Sequence, residues 1–187
     1  MPQTLLAVFA IAAASTLAYQ GSRDRIDDAT RLYRAEVQSQ ARGLTEGVLA
    51  RLAGLPFDGG EGGNAAAAGP ARFSPASSFG AAAPSAGRPL DDVFADPAFD
   101  DLDDFDGVSG AVARHTFFDP ATGTTQPFDL LVSVDVRYAR QRADGSWEPV
   151  EGNPGFRSDR KWAVVTVEHA TLPGGGRLGR LFAAPTP

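Results

Sequence analysis

Eight aspartates fall between residues 91 and 106 of this 187-residue chain, in the run DDVFADPAFDDLDDFDG. Carboxylates at such short spacing are the donors that hard cations take, and calcium suits them best. Asp101, Asp103, Asp104 and Asp106 are the four that could converge on one ion. The EF-hand template does not fit them. With Gly107 as the loop glycine, Asp104 and Asp106 fall on ligand positions. Leu102 then occupies the first ligand position, and Ala113 stands where the closing glutamate belongs. The interleaved Val93, Phe94, Phe99, Leu102 and Phe105 give the run a second reading, preferred here. It is a structural loop whose apolar residues pin it to a core while its aspartates face water. No metal ligand set and no cofactor is therefore assigned.

Other reactive groups are sparse. There is no cysteine, which excludes thiol chemistry and disulfides, and there are only two histidines, His115 and His169. Neither belongs to a metal-binding motif, a serine elbow or a phosphate loop. Two of the many aspartates could form a glycosidase-type carboxylate pair, but nothing in their spacing selects which two. The chain is not expected to be an enzyme. Its net charge of −6 and a pI of about 4.8 argue against nucleic acid as a partner. Phosphate binding needs clustered Lys and Arg.

The element that must position everything else is the first stretch, residues 1–55, which reads as one long helix. Residues 1–21 form an apolar part, with LLAVFAIAAASTLAY at Leu5–Tyr19, and residues 22–55 are amphipathic. Ile26, Ala29, Tyr33, Val37, Ala41, Leu44, Val48, Leu52 and Leu55 recur in steps of three and four, the spacing of one helical stripe. Pro56 should end the helix, with Leu55 already leaving helical geometry. Such a helix extends roughly 75 Å at about 1.5 Å per residue. A domain built from the rest of the chain would be only about 30–40 Å across. The helix should therefore protrude, and an apolar-tipped protrusion needs a membrane or copies of itself. Gly43 and Gly47 lie four apart. They are expected to let a sheet pack closely, at a helix-propensity cost of about 1 kcal/mol each.

The uncharged stretch Met1–Ser22 has three readings. It could be a cleaved signal peptide, with Thr16-Leu17-Ala18 as a small-residue cleavage site, although residues 1–4 carry no Lys or Arg. It could be a transmembrane anchor, about long enough to span but rich in alanine. Or it could sit in a membrane before assembly and in a protein filament afterwards. Asp24, Asp27 and Asp28 mingle with Arg23, Arg25, Arg31 and Arg34 just beyond it. They form either local pairs worth a few tenths of a kcal/mol or pairs between subunits.

Residues 56–110 are a connecting region. Gly, Ala, Ser and Pro dominate residues 58–90, where Phe73 and Phe79 are isolated anchors; a surface loop is the expected state. Residues 111–187 read as antiparallel strands. Ala111–Phe118 is the first, and Phe128–Tyr138 has the cleanest alternation. There Phe128, Leu130, Val132, Val134, Val136 and Tyr138 face one way, with Leu131 the apolar exception on the other face. Ala143–Ser146 is a turn, Lys161–His169 the next strand and Arg177–Ala183 the last. Three or four strands are expected, covered by the helical stripe. The fold class is α+β, a long N-terminal helix packed on a small antiparallel sheet.

These residues together resemble type IV pilins and pseudopilins, the helix end and the Asp-rich patch being similar to those of minor pilins and pseudopilins of the PilV and MSHA type. The resemblance rests on the continuous apolar-to-amphipathic helix, AEVQSQARGLTEGVLARLAGLPFDG at Ala35–Gly59, FDDLDDFDG at Phe99–Gly107, and the C-terminal antiparallel sheet. It covers most of the chain except residues 60–90. The N-terminus diverges. Family members carry a short basic leader and a glutamate at mature position five; Leu5 stands there if Met1 is the mature start. The resemblance implies a structural subunit of an extracellular, pilus-like filament at the cell surface. Such a subunit is inserted in inner-membrane lipid before assembly, is handled by pilus assembly machinery and is then partnered by copies of itself in a helical array. Leu5, Leu6, Val8, Phe9, Ile11 and Leu17 are the expected assembly residues, buried between subunits. The alternative is a membrane-anchored or secreted binding module that does not polymerise.

Overall fold

A computed structural model of the chain describes residues 2–58, 69–80, 85–120 and 122–185, with side chains from residue 8 onward. The helix α1 runs Pro2–Leu52 without interruption. It ends a turn before the expected Leu55. Ala53, Gly54 and Leu55 donate their amides to the carbonyls of Leu49, Arg51 and Leu52, and the chain leaves through Pro56. A proline disfavours helical geometry in the residue before it, so Leu55 could not have extended the helix.

The sheet has five antiparallel strands, with β3 the short addition: β1 (Val108–Asp119), β2 (Thr124–Gln141), β3 (Trp147–Pro149), β4 (Arg160–Glu168) and β5 (Gly176–Ala183). Their order is β1-β2-β4-β5, while β3 pairs with the far end of β2. The alternation expected of β2 holds: Phe128, Leu130, Val132, Val134, Val136 and Tyr138 are buried, and Leu131 is exposed. On β4 the inward set is Lys161, Ala163, Val165 and Val167.

From Tyr33 onward α1 covers this face. Val37, Ala41, Thr45, Val48, Leu49 and Leu52 are buried among Leu130, Val132, Val134 and Val165. At the upper end Tyr33 meets Phe117 and Phe128 edge-on, at 5.3 and 6.0 Å between ring centroids. A short helix, α2 (Leu90–Ala95), closes the other edge of the core with Leu90 and Val93.

The expected role of Gly43 and Gly47 is corrected. An added Cβ at either would meet nothing within 4 Å, so neither brings α1 close to the sheet. Close approach is made by Ala41 and Thr45 against Gly176 of β5, where an added Cβ would already touch both side chains at 3.9 and 3.8 Å. Glycine is required by a neighbour at Gly179, whose Cβ would collide with the Trp162 indole on the adjacent strand, and at Gly80 and Gly175, where it would collide with the carbonyl oxygens of Asp106 and Val167.

The low-complexity region is less free than expected where it is described. Residues 69–80 hold two 3-10 turns, Gly69–Arg72 and Ala76–Ser78. Phe73 is buried against Phe57, and Phe79 packs on Tyr138. Two anchors suffice to fix the segment to the sheet because Ser74 is also bound between Asp58 and Tyr138. The remainder of the region, residues 59–68 and 81–84, lies outside the described residues.

Candidate functional site

Two places hold side chains that the fold alone does not explain. The first is the outer part of α1. The sheet covers the helix from about Tyr33, Ala29 is half-buried beside the end of the β1–β2 hairpin, and the described helix before Arg25 projects. Residues 8–32 span roughly 37 Å at about 1.5 Å per residue. Val8, Phe9, Ile11, Leu17, Tyr19 and Ile26 remain 66–69% exposed there. Of the residues expected to serve assembly, Val8, Phe9, Ile11 and Leu17 therefore form an open apolar surface, and Leu5 and Leu6 lie outside the described side chains. Among the described residues no helix is long and apolar enough to cross a membrane. The described apolar part, Val8–Tyr19, extends about 18 Å against a hydrocarbon core of about 30 Å. In the charged stretch that follows, Arg31 and Asp28 approach to 3.7 Å, both well exposed. An exposed pair at that spacing is a local contact worth a few tenths of a kcal/mol.

The second place is the acidic run, and here an expectation fails. Its aspartates do not all face water: Asp101 and Asp103 are 4% and 5% exposed. The reason is Lys161, at the start of β4 and wholly buried. Its ammonium donates to Asp103 Oδ1 and to the carbonyl of Phe57, the latter at 2.5 Å. The rings of Phe57, Phe79 and Tyr138 stand 4.3, 5.0 and 5.3 Å from Nζ. Oxygens of Asp58, Asp101 and Asp103 lie within 4.8 Å of one another, the spacing a metal would need. Lys161 already supplies the positive charge beside them. Asp101 is further committed to the backbone, its Oδ1 accepting the amides of Asp103 and Asp104 at 2.7 and 3.3 Å.

The other two calcium candidates are engaged elsewhere. Asp104 Oδ2 accepts the amides of Asp100 and Asp101 at 3.0 and 3.1 Å, and Asp106 Oδ1 accepts the amide of Val136 at 2.9 Å. Asp101, Asp103, Asp104 and Asp106 thus each have a different set of partners, and the four do not converge on one point. Asp100, Asp101 and Asp104 form a second carboxylate group of metal-ligand spacing. It is organised by the backbone of its own turn.

Burial dominates the electrostatics around Lys161. It pushes the Asp103 carboxyl up to about 7, against the opposing pull of the Lys161 charge. Burial lowers Lys161, against the pull of Asp103. Burial also raises Asp104, Asp106 and the Tyr138 phenol. Low-dielectric surroundings penalise whichever form is charged, which is why acid and base move in opposite directions.

Sequence reasoning missed Lys161, although its signal was there. Lys161 shares the parity of Ala163, Val165 and Val167, so a strict alternation puts it inward. His115 lies in β1 and His169 just after β4. His115 stacks on Phe128, with centroids 5.8 Å apart. His169 Nδ1 lies 2.9 Å from Thr171 Oγ1 at the turn after β4. Gly43 and Gly47 look into an open groove of about 1010 Å³ between α1 and β1, whose floor includes Leu44, Val112 and His115. No protein-family model, no curated protein and no solved structure matches this chain.

Proposed function

We propose that this protein is a structural subunit of a type IV pilus-like extracellular filament. The observation that carries the proposal is the arm of α1. It is continuous with the helix that builds the core, yet its Val8, Phe9, Ile11 and Leu17 are left exposed by the described residues. Fully burying such a side chain is worth about 1.5–3 kcal/mol, so several in a row favour association with an apolar surface. The small residues among them, Ala10, Ala12, Ala13, Ala14 and Ser15, suit close helix–helix approach. In the proposed filament the arms of many copies bundle in the centre and the sheet domains tile the outside. Before assembly the arm rests in inner-membrane lipid, and assembly machinery moves it into the filament. The role is mechanical and not enzymatic.

The test is electron microscopy of material sheared from the cells, with N-terminal sequencing of the same sample. Filaments built of this chain are the expected result, and removal of residues 2–20 should leave a soluble monomer. A species that stays monomeric after detergent extraction would support an anchored module that does not polymerise. Filaments formed equally well without residues 2–20 would end the proposal.

A further inference from the structure

Lys161 and Asp103 are 58 residues apart in sequence, yet amine and carboxyl are in direct contact. Both are buried, and three aromatic rings surround the amine. Such a site disfavours both charges. It moves Asp103 towards the protonated acid and Lys161 towards the free amine. Those are the forms in which a carboxyl is an electrophile and an amine a nucleophile. Among the described residues Asp103 Oδ2 is buried with no hydrogen-bond partner. The Asp101 carboxylate lies beside Asp103, held by the Asp103 and Asp104 amides.

We propose that Lys161 and Asp103 condense within the folded protein to an intramolecular isopeptide bond. Proton transfer inside the contact gives the neutral amine and acid. Nζ then attacks Cγ, and the new N–C bond forms as the carbonyl π-bond opens onto oxygen. The nitrogen of this adduct gives a proton to the Asp101 carboxylate, which passes it to the departing Asp103 hydroxyl. The carbonyl re-forms, the C–O bond breaks and water leaves. One amine and one carboxylic acid become one secondary amide and one water, so no oxidant, cofactor or second protein is needed.

The fold supplies what free amines and acids lack. Fixed contact between reactants corresponds to effective molarities of about 10⁵–10⁸ M in well-oriented cases. The product also replaces two groups whose charges the interior resists with one neutral amide, whose N–H retains the Phe57 carbonyl as an acceptor. The bond would tie the turn before β1 to β4, across the sheet. The chemistry does not depend on the filament proposal, because every group involved lies in the globular part of one chain.

Mass spectrometry of the denatured full-length protein tests it. The expected mass is lower than that of the sequence by one water. A tryptic digest should contain a branched peptide joining the Lys161 and Asp103 side chains, with no cleavage after Lys161. Lys161→Arg and Asp103→Ala should each restore the full mass, and Asp101→Asn should reduce the condensed fraction in freshly made protein. Wild-type protein of full sequence mass with cleavage after Lys161 would overturn the proposal. A water loss that persists in Lys161→Arg would overturn it equally, since it would mark a succinimide at an Asp-Gly step such as Asp144-Gly145. An Asp101→Asn protein condensed as fully as wild type would remove Asp101 from the step.

Discussion

Residues 8–32 of α1 hold Val8, Phe9, Ile11 and Leu17 in water, whereas the turn before β1 and the start of β4 take Asp103 and Lys161 out of it. The two regions invert the usual partition of side chains in opposite directions. Apolar surface left open lowers its free energy by meeting other apolar surface, and none of the described residues is placed to provide it. A buried charge lowers its free energy by meeting an opposite charge or by ceasing to be one, and here both partners come from the same chain. The arm therefore looks outward for completion, and the interior pair completes itself. The same contrast runs along α1, which is scaffold from Tyr33 to Leu52, borders the end of the β1–β2 hairpin at Arg25–Thr30 and is exposed before that among the described residues.

The largest effect expected is on the arm. Changing Val8, Phe9, Ile11 and Leu17 together to serine should abolish filament formation in electron micrographs while leaving the circular-dichroism melting of the sheet domain nearly unchanged. Filaments of normal abundance would break the contrast at its outer end. At its inner end, Lys161→Met or Asp103→Ala leaves one buried group without its partner and cannot form the amide. In denaturant unfolding each should be less stable by about 3–5 kcal/mol than the double change Lys161→Met with Asp103→Leu, which leaves no unpartnered charge.

Within α1 the comparison sharpens further. Leu52→Ala, in the core, should cost about 2–5 kcal/mol. Leu17→Ala, on the arm, should change the stability of the isolated subunit by no more than about 0.5 kcal/mol. Equal losses at the two positions would mean that the arm is covered in the monomer. A smaller effect is expected at Gly43 and Gly47. Both are helical with open space around them, so alanine at either should stabilise the subunit by about 0.8–1 kcal/mol. A destabilised variant would show that the groove beside them is filled in solution.

The smallest effect is a pH dependence at Asp106, whose carboxyl burial raises above the ordinary 3.8. A raised folded-state value means that the folded chain holds the proton more tightly than the unfolded chain. The stabilising contribution is then complete below about pH 4 and lost as pH climbs through the raised value. Asp106→Asn keeps an oxygen for the Val136 amide and cannot ionise. Its melting temperature should match wild type near pH 4 and exceed it at pH 8. A variant that melts lower at pH 8 would show that Asp106 is needed as a carboxylate.

Much of the fold was legible because its signals are periodic. The α1 stripe was readable from Tyr33 to Leu52, and Phe128–Tyr138 announced its inward face residue by residue. Ile26 belonged to the same stripe but stays exposed, because periodicity tells which side of a helix is apolar and not how far the sheet reaches along it. β3 has three residues, too few to show any period, and it exists because Trp147–Pro149 falls back beside the end of β2. Asp101 and Asp103 read as solvent-facing because a carboxylate is usually exposed, and the lysine that draws them inward lies on a distant strand.

The sequence by itself determined the long helix, the alternation of the strands and the presence of an apolar arm, since each depends on neighbours along the chain. Only the tertiary structure decided that Gly43 and Gly47 face a groove, that Phe73 and Phe79 anchor a low-complexity segment, and that Lys161 meets Asp103. Those depend on residues brought together from far apart, where contact distance and exclusion of water, not local pattern, set the energy.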